Sequence, residues 1–449
     1  MERDLKLDIS YRQILTMALP ISFAILVPQF NFLINSIFLS QLGEGYVGAS
    51  GVTGVYYLIF SVIGFGLNNG IQALISRRAG QDRLLEIGQL FTQSVYLILS
   101  IALAGIFTTY FIAPLIFEQF TDPALYKQSM EFLHIRIWGL PFLYLYQMRN
   151  ALLVGTNQSQ LLIWGTLSET LTNVVLDYGL IFGHLGLPAL GFNGAAYASV
   201  IAEFIGMAVV FLIIQQKGMK KRFGLFSQLA IDTKTISTIL VQSSPLILQY
   251  AISIISWEYF FILISHDGRM ELDISQLMRL VFGFCGIFIW AFAGTTNTMV
   301  SNIIGQGNQD KVLSLIRKII HLSLGSSLFI VIPLLTLPEL ILSFYDTDPA
   351  FITMGVPVVR VVGVAILLMS VATVCLNAVT GTGNTRINLL IEFITIVMYC
   401  IFIYVVMHKL NLSLAWGWGS EWLYWSSILI MSSIYMLSGK WNNEKSRSV

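Results

Sequence analysis

Stretches of about twenty apolar residues recur from one end of this 449-residue chain to the other, with only short polar breaks between them. That pattern restricts the fold more than any motif does, because lipid offers backbone N–H and C=O groups no hydrogen-bond partner. Only helices or a closed barrel can cross a bilayer, and the ten-residue alternation of barrel strands is absent here. The composition agrees: 56% hydrophobic and 11% charged residues is too apolar for a water-soluble protein of this size. Roughly twelve spans are predicted, near residues 12–39, 46–75, 89–112, 131–154, 160–183, 190–214, 237–265, 273–303, 312–337, 351–380, 386–408 and 416–437. The fold class is therefore all-α and polytopic.

Basic residues alternate between the polar breaks. Eighteen of the 25 Lys and Arg residues fall before span one, after spans two, six, eight and ten, and after span twelve; Lys217, Lys220, Lys221, Arg222 and Lys234 form the densest group. The positive-inside rule then places both termini in the cytoplasm of a cell with this protein in its inner or plasma membrane. The N-terminus has no short apolar core ending in a small-residue cleavage site, so no removable signal peptide is expected. Net charge of +1 gives no reason to invoke nucleic acid. Cys285, Cys375 and Cys400 lie in apolar spans without metal-ligand spacing, and no Ser/His/Asp or paired-carboxylate arrangement marks an enzyme.

The two halves repeat each other. Thr121-Asp122-Pro123-Ala124 returns as Thr347-Asp348-Pro349-Ala350 at an offset of 226, and Asn150-Ala151 and Asn157 return as Asn377-Ala378 and Asn384 at an offset of 227. A repeat of about six spans, an even number, gives two lobes of the same orientation related by an axis along the membrane normal, a plan shared by several transporters. The expected division is an N-lobe over 1–222, a cytoplasmic linker over 223–236 and a C-lobe over 237–449. Such a bundle has a natural cavity between its halves, opened alternately to each side.

Charge inside a span is costly, about 2.5–3.5 kcal/mol at a helix centre, and calls for a partner, water or a function. In span five Glu169, Asn173 and Asp177 fall at i, i+4 and i+8, a polar stripe about 12 Å long on one helical face. A carboxylate beside an amide oxygen can ligate Na⁺ or hold a proton; otherwise the stripe is an interhelical hydrogen-bond clamp. Glu203 in span six, Glu258 in span seven, Arg279 in span eight and Glu392 in span eleven are the other candidate cavity charges, with Arg279 expected to pair with an acid such as Glu258. Arg136 and Arg360 are read as snorkelling anchors at outer span ends. Gly305-Gln306-Gly307 and Gly381-Thr382-Gly383 lack the context of a phosphate loop and read as helix ends, while Pro20, Pro28 and Pro245 are candidate hinges.

Ala18-Leu19-Pro20, Gln41-Leu42-Gly43, Gly80-Gln81-Asp82 and Gly305-Gln306-Gly307 resemble signatures of the multidrug and toxic compound extrusion family. The most specific stretch is Asn173-Val174-Val175-Leu176-Asp177-Tyr178 followed by Gly191-Phe192-Asn193-Gly194-Ala195-Ala196-Tyr197-Ala198-Ser199, and the likeness covers nearly the whole chain. The resemblance implies twelve helices in two six-helix lobes, an N-lobe cation site containing Asn173 and Asp177, and no cofactor beyond a coupling Na⁺ or H⁺. Where relatives commonly carry an Asp in span one, this chain has Asn35, which can hydrogen-bond but cannot carry a proton. Ser199 is expected to complete the site, and Na⁺ at Asp177 is the one metal ion anticipated. The expected function is cation-coupled export of small amphipathic or cationic compounds by a monomer in the bilayer. The alternative is a flippase for a lipid-linked sugar or similar lipid, which would favour a large cationic cavity.

Overall fold

The computed structural model describes residues 4–120 and 123–442. Thr121 and Asp122 of the repeat, and Arg3, Lys445 and Arg447 of the charge pattern, lie outside the described residues. Each expected span is helical: α1 Tyr11–Ser40, α2 Glu44–Gly80, α3 Leu84–Phe111, α4 in two pieces (Pro123–Arg136 and Leu140–Gly155), α5 Leu162–Phe182 and α6 Phe192–Gln216. The second half supplies α7 Thr233–Asp267, α8 Arg269–Gly305, α9 Val312–Thr336, α10 Pro349–Gly381, α11 Thr385–Ile403 and α12 Ser420–Leu437.

Nine of these helices, among the described residues, are long and apolar enough to cross a membrane by length and composition alone. The other three fall short for physical reasons. α4 is interrupted by a 3₁₀ turn at Ile137–Gly139, where Pro141 has no N–H to give the Ile137 carbonyl. α5 carries Glu169, Asn173 and Asp177 within its 21 residues, and α12 carries Glu421 and five serines within its 18.

Contacts divide the chain into two compact units, one of residues 1–5 and 23–243, the other of 6–22 and 244–449. Within the first, the most extensive packing is α5 on α6, α2 on α4, α3 on α4, α2 on α3 and α4 on α6. Within the second, the leading pairs are α11 with α12, α8 with α10, α9 with α10, α8 with α9 and α10 with α12. These are the same five pairs shifted by six helices, so the sequence repeat is also a repeat of packing.

The repeat extends to the way helices stop. Two residues past the ends of α2, α4, α8 and α10 the chain takes positive φ at Asp82 (57°), Asn157 (61°), Gly307 (80°) and Gly383 (92°). Gly, Asn and Asp tolerate this left-handed geometry best. The following N–H reaches back to Arg78, Leu153 and Ile303 in the first three, at 3.0, 2.7 and 3.1 Å, closing carbonyls that would otherwise be left open. The glycine pairs singled out in the sequence are thus helix terminators. At the opposite helix ends, Pro123 opens α4 and Pro349 opens α10, and Asp348 caps α10 by accepting from Ala350 N at 2.9 Å.

The basic segment joining the halves is stitched to one face of α3. Thr92 Oγ1 accepts from Phe226 N, Gln93 bonds both Ala230 O and Asp232 N, Tyr96 OH donates to Leu229 O, and Gln89 donates to Asp232. Asp232 also accepts from Lys234 N and Thr235 Oγ1, capping the start of α7. Pro245, like Pro20 and Pro28, sits inside a helix that continues through it.

Candidate functional site

In the first unit α1 and α5 run side by side and parallel. Asn31 Nδ2 donates to Asn173 Oδ1 at 2.6 Å, and one to two turns further along Phe38 packs against Tyr178 and Phe182 at ring-centroid distances of 6.4 and 5.7 Å. Asn35 is one turn on from Asn31 and Asp177 one turn on from Asn173, so this register sets Asn35 level with Asp177. α6 lies antiparallel on α5, with Gly194 against Leu180, Gly206 against Glu169 and Gly165 against Val210. The same register brings Ser199 close to the level of Asp177.

Asp177 is fully buried and Asn173 is 3% exposed. Both carboxylate oxygens of Asp177, the Oδ1 atoms of Asn31 and Asn35, and Asn173 Nδ2 are buried without a hydrogen-bond partner. Asn35 and half-buried Ser199 therefore share the level of Asp177 but do not bond it. Native interiors rarely leave such atoms unpaired, since each costs about 1–3 kcal/mol, and more when charged. The two carboxylate oxygens of Asp177 and the amide oxygens of Asn31 and Asn35, all unpaired, form a hard, singly charged acceptor set suited to a proton or a small monovalent cation. None of the ion pairs among the described residues involves Asp177, and no group of three His, Cys, Asp or Glu side chains among them could hold a metal ion.

Arg136 is not the surface anchor that its sequence position implied. Its guanidinium makes two bonds to Glu203, at 2.9 and 2.5 Å, donates to Tyr57 OH at 3.0 Å and lies 4.0 Å from the centre of that ring. The 33-residue length of α4 explains the difference: the helix starts at Pro123, well before the predicted span, so Arg136 sits deep in the bundle beside the 3₁₀ turn. Gly139 makes room for the pair, because a Cβ there would overlap Glu203 and Arg136. Glu169 packs on Gly206 of α6 near this pair and apart from Asp177, so the three-residue stripe of α5 serves two places.

In the second unit Arg279 pairs with Glu258, each 41% exposed, and Arg279 also faces the Phe261 ring at 4.7 Å. That pair is therefore on the unit's surface. Glu392, 1% exposed, lies in the interior between α7 and α12. Two participants carried no earlier assignment. Asn31 could have been found from its four-residue spacing to Asn35, which matches that of Asn173 and Asp177. Glu421, 2% exposed and held by Tyr399 and Trp425, lies inside the predicted span twelve and was legible as a buried acid.

A protein-family model described as MatE matches residues 20–179 and 245–405. A probable multidrug resistance protein NorM of Synechocystis sp. is 22% identical over 391 residues, covering 85% of this chain and 84% of its own length. Another, from Thermotoga maritima, is 24% identical over 324 residues, covering 70% and 68%. A crystal structure of a MATE in complex with MaL6 has the same fold, with a TM-score of 0.87 at 16% identity over 100% of both chains.

Proposed function

Since the chain belongs to the MatE family, whose members are integral membrane transporters and not enzymes, we propose that it is a Na⁺- or H⁺-coupled antiporter exporting small amphipathic or cationic organic compounds. The observation that carries the coupling half of this reading is Asp177, a fully buried carboxylate with neither oxygen bonded and no basic partner among the described residues. Such a group needs a positive charge beside it, and a mobile cation or proton from the medium meets that need only transiently. Asn31 and Asn35 supply neutral oxygens, and Asn173 holds Asn31 by accepting its amide hydrogen bond. Ser199 stands ready on α6 to approach when the helices shift. The export half is supported by the names of the relatives, both probable multidrug resistance proteins.

In this mechanism a cation taken at Asp177 from outside biases the transporter toward releasing its organic solute outward, and loss of the cation inward resets access. Both termini and the basic segment 217–234 face the cytoplasm, and the bilayer is the plasma membrane. One charge entering down about 100 mV provides roughly 2.3 kcal/mol, which sustains about a fortyfold gradient of a neutral solute.

The test is transport by proteoliposomes holding the intact chain or Asp177→Asn, with Na⁺ and H⁺ gradients imposed separately and cationic dyes as cargo. Dye movement driven by one gradient and abolished by Asp177→Asn, with the variant still folded, supports the reading and names the ion. No movement under either gradient overturns the substrate class. An unchanged variant overturns the site.

A further inference from the structure

The basic segment that follows α6 plays no part in the coupling reading, yet it carries the densest charge on the chain. Lys217, Lys220, Lys221 and Arg222 fall within six residues, and no Asp or Glu occurs between Glu203 and Asp232. Asp232 itself is engaged by Gln89, Lys234 N and Thr235. Lys217, Lys220 and Lys221 are exposed, and none of the ion pairs among the described residues involves them. Like charges set side by side repel, and a free loop would spread them apart. This segment is held instead. A short helix, Met219–Phe223, buries Met219 and Phe223, and Leu225 follows them inside. Gly88 of α3 lets the Phe223 carbonyl approach so closely that a Cβ there would overlap it. The hydrogen bonds from Thr92, Gln93 and Tyr96 of α3 extend the grip to Asp232. The lysines are therefore preorganised for an anion rather than gathered by one.

The surroundings say which anion. Lys220 borders a crevice walled by Phe91 of α3, Phe211 and Ile214 of α6, and Leu225 and Phe226 of the segment. Leu229 and Ile231, a few residues on, are 63% and 71% exposed. A free phosphate or a nucleotide gains nothing from an apolar wall, whereas a phospholipid presents a phosphate and an acyl chain side by side. We propose that this surface binds one anionic phospholipid of the adjoining leaflet. Its phosphate lies among Lys217, Lys220 and Lys221, and an acyl chain runs along the crevice against Phe211 and Phe226. Leu229 and Ile231 enter the headgroup boundary beside it. The lipid offsets the repulsion among the lysines and pins the joint between α6 and α7 to the membrane surface. The site requires neither Asp177 nor any direction of transport.

The test is lipid binding by the purified full-length chain in an uncharged detergent, read by native mass spectrometry. The probes are phosphatidylglycerol, phosphatidylcholine of the same acyl chains, and glycerol phosphate, which has the headgroup charge without the chains. One phosphatidylglycerol should bind more tightly than either of the others. Lys217→Gln, Lys220→Gln and Lys221→Gln each should weaken it roughly fivefold, and the three together on the order of a hundredfold. Exposed and outside every ion pair among the described residues, these lysines can be replaced without lowering the lipid-free melting temperature. A charge-matched control, Lys311→Gln with Arg317→Gln and Lys440→Gln, removes three basic residues elsewhere and should leave the tight site intact. Equal weakening by the control overturns the site and leaves a diffuse attraction to positive charge. Phosphatidylcholine binding as tightly as phosphatidylglycerol overturns the role of the lysines, and glycerol phosphate doing so overturns the lipid.

Discussion

A carboxylate buried among apolar helices needs donors, a counter-charge or a mobile cation, and three acids in this chain differ in which they have. Glu203 has a guanidinium, Glu392 has three neutral donors, and Asp177 has nothing bonded to it. The difference predicts how each responds to substitution. Arg136→Met leaves Glu203 charged and buried, which should cost about 3–5 kcal/mol of stability. Arg136→Met combined with Glu203→Leu removes both charges and should recover most of that loss, as read by thermal melting in detergent. If the double variant melts no higher than the single one, the pair is not what holds α4 to α6. Asp177→Asn is expected to change stability little or to raise it, because it removes a charge that no protein group balances.

At the scale of the helix, close packing is set where side chains are missing. A Cβ at Gly139 would overlap the Arg136–Glu203 pair at the break in α4, whereas one at Gly51 in α2 meets nothing within 4 Å. Gly139→Ala should therefore lower the melting temperature clearly. Gly51→Ala should leave it unchanged or raise it, since alanine gains about 1 kcal/mol over glycine inside a helix. Equal effects of the two would show that the pair yields without cost. The break itself follows from Pro141, and without it α4 would carry Arg136 at a different angle to Glu203.

At the scale of the whole molecule, the repeated helix pairs and helix terminators give each unit its own complete core. That of the second is built around Trp418, fully buried, stacked on Phe282 and bonded to Ser275 at 3.1 Å. Orientation in the bilayer is the property that the charge pattern alone addresses. With the three native cysteines replaced, Ser227→Cys in the basic segment should react with an impermeant maleimide only once the membrane is opened. Tyr345→Cys, between α9 and α10, should react from outside an intact cell. The reverse pattern would invert the proposed topology and with it the direction of export.

Hydropathy, charge and the repeat were enough to specify an all-helical membrane transporter of twelve helices, because bilayer thickness and backbone hydrogen bonding leave few alternatives. Local spacing was enough to mark Asn173 and Asp177 as one face, since four residues are one turn of any α-helix. Spacing within one helix says nothing about which helix lies opposite. The pairing of Asn31 with Asn173, the capture of Glu203 by Arg136, and the ring of donors from α7 and α12 on Glu392 join residues 142, 67 and up to 143 positions apart. Only tertiary packing decided these partners, and with them which buried charges are already balanced and which still call for a cation.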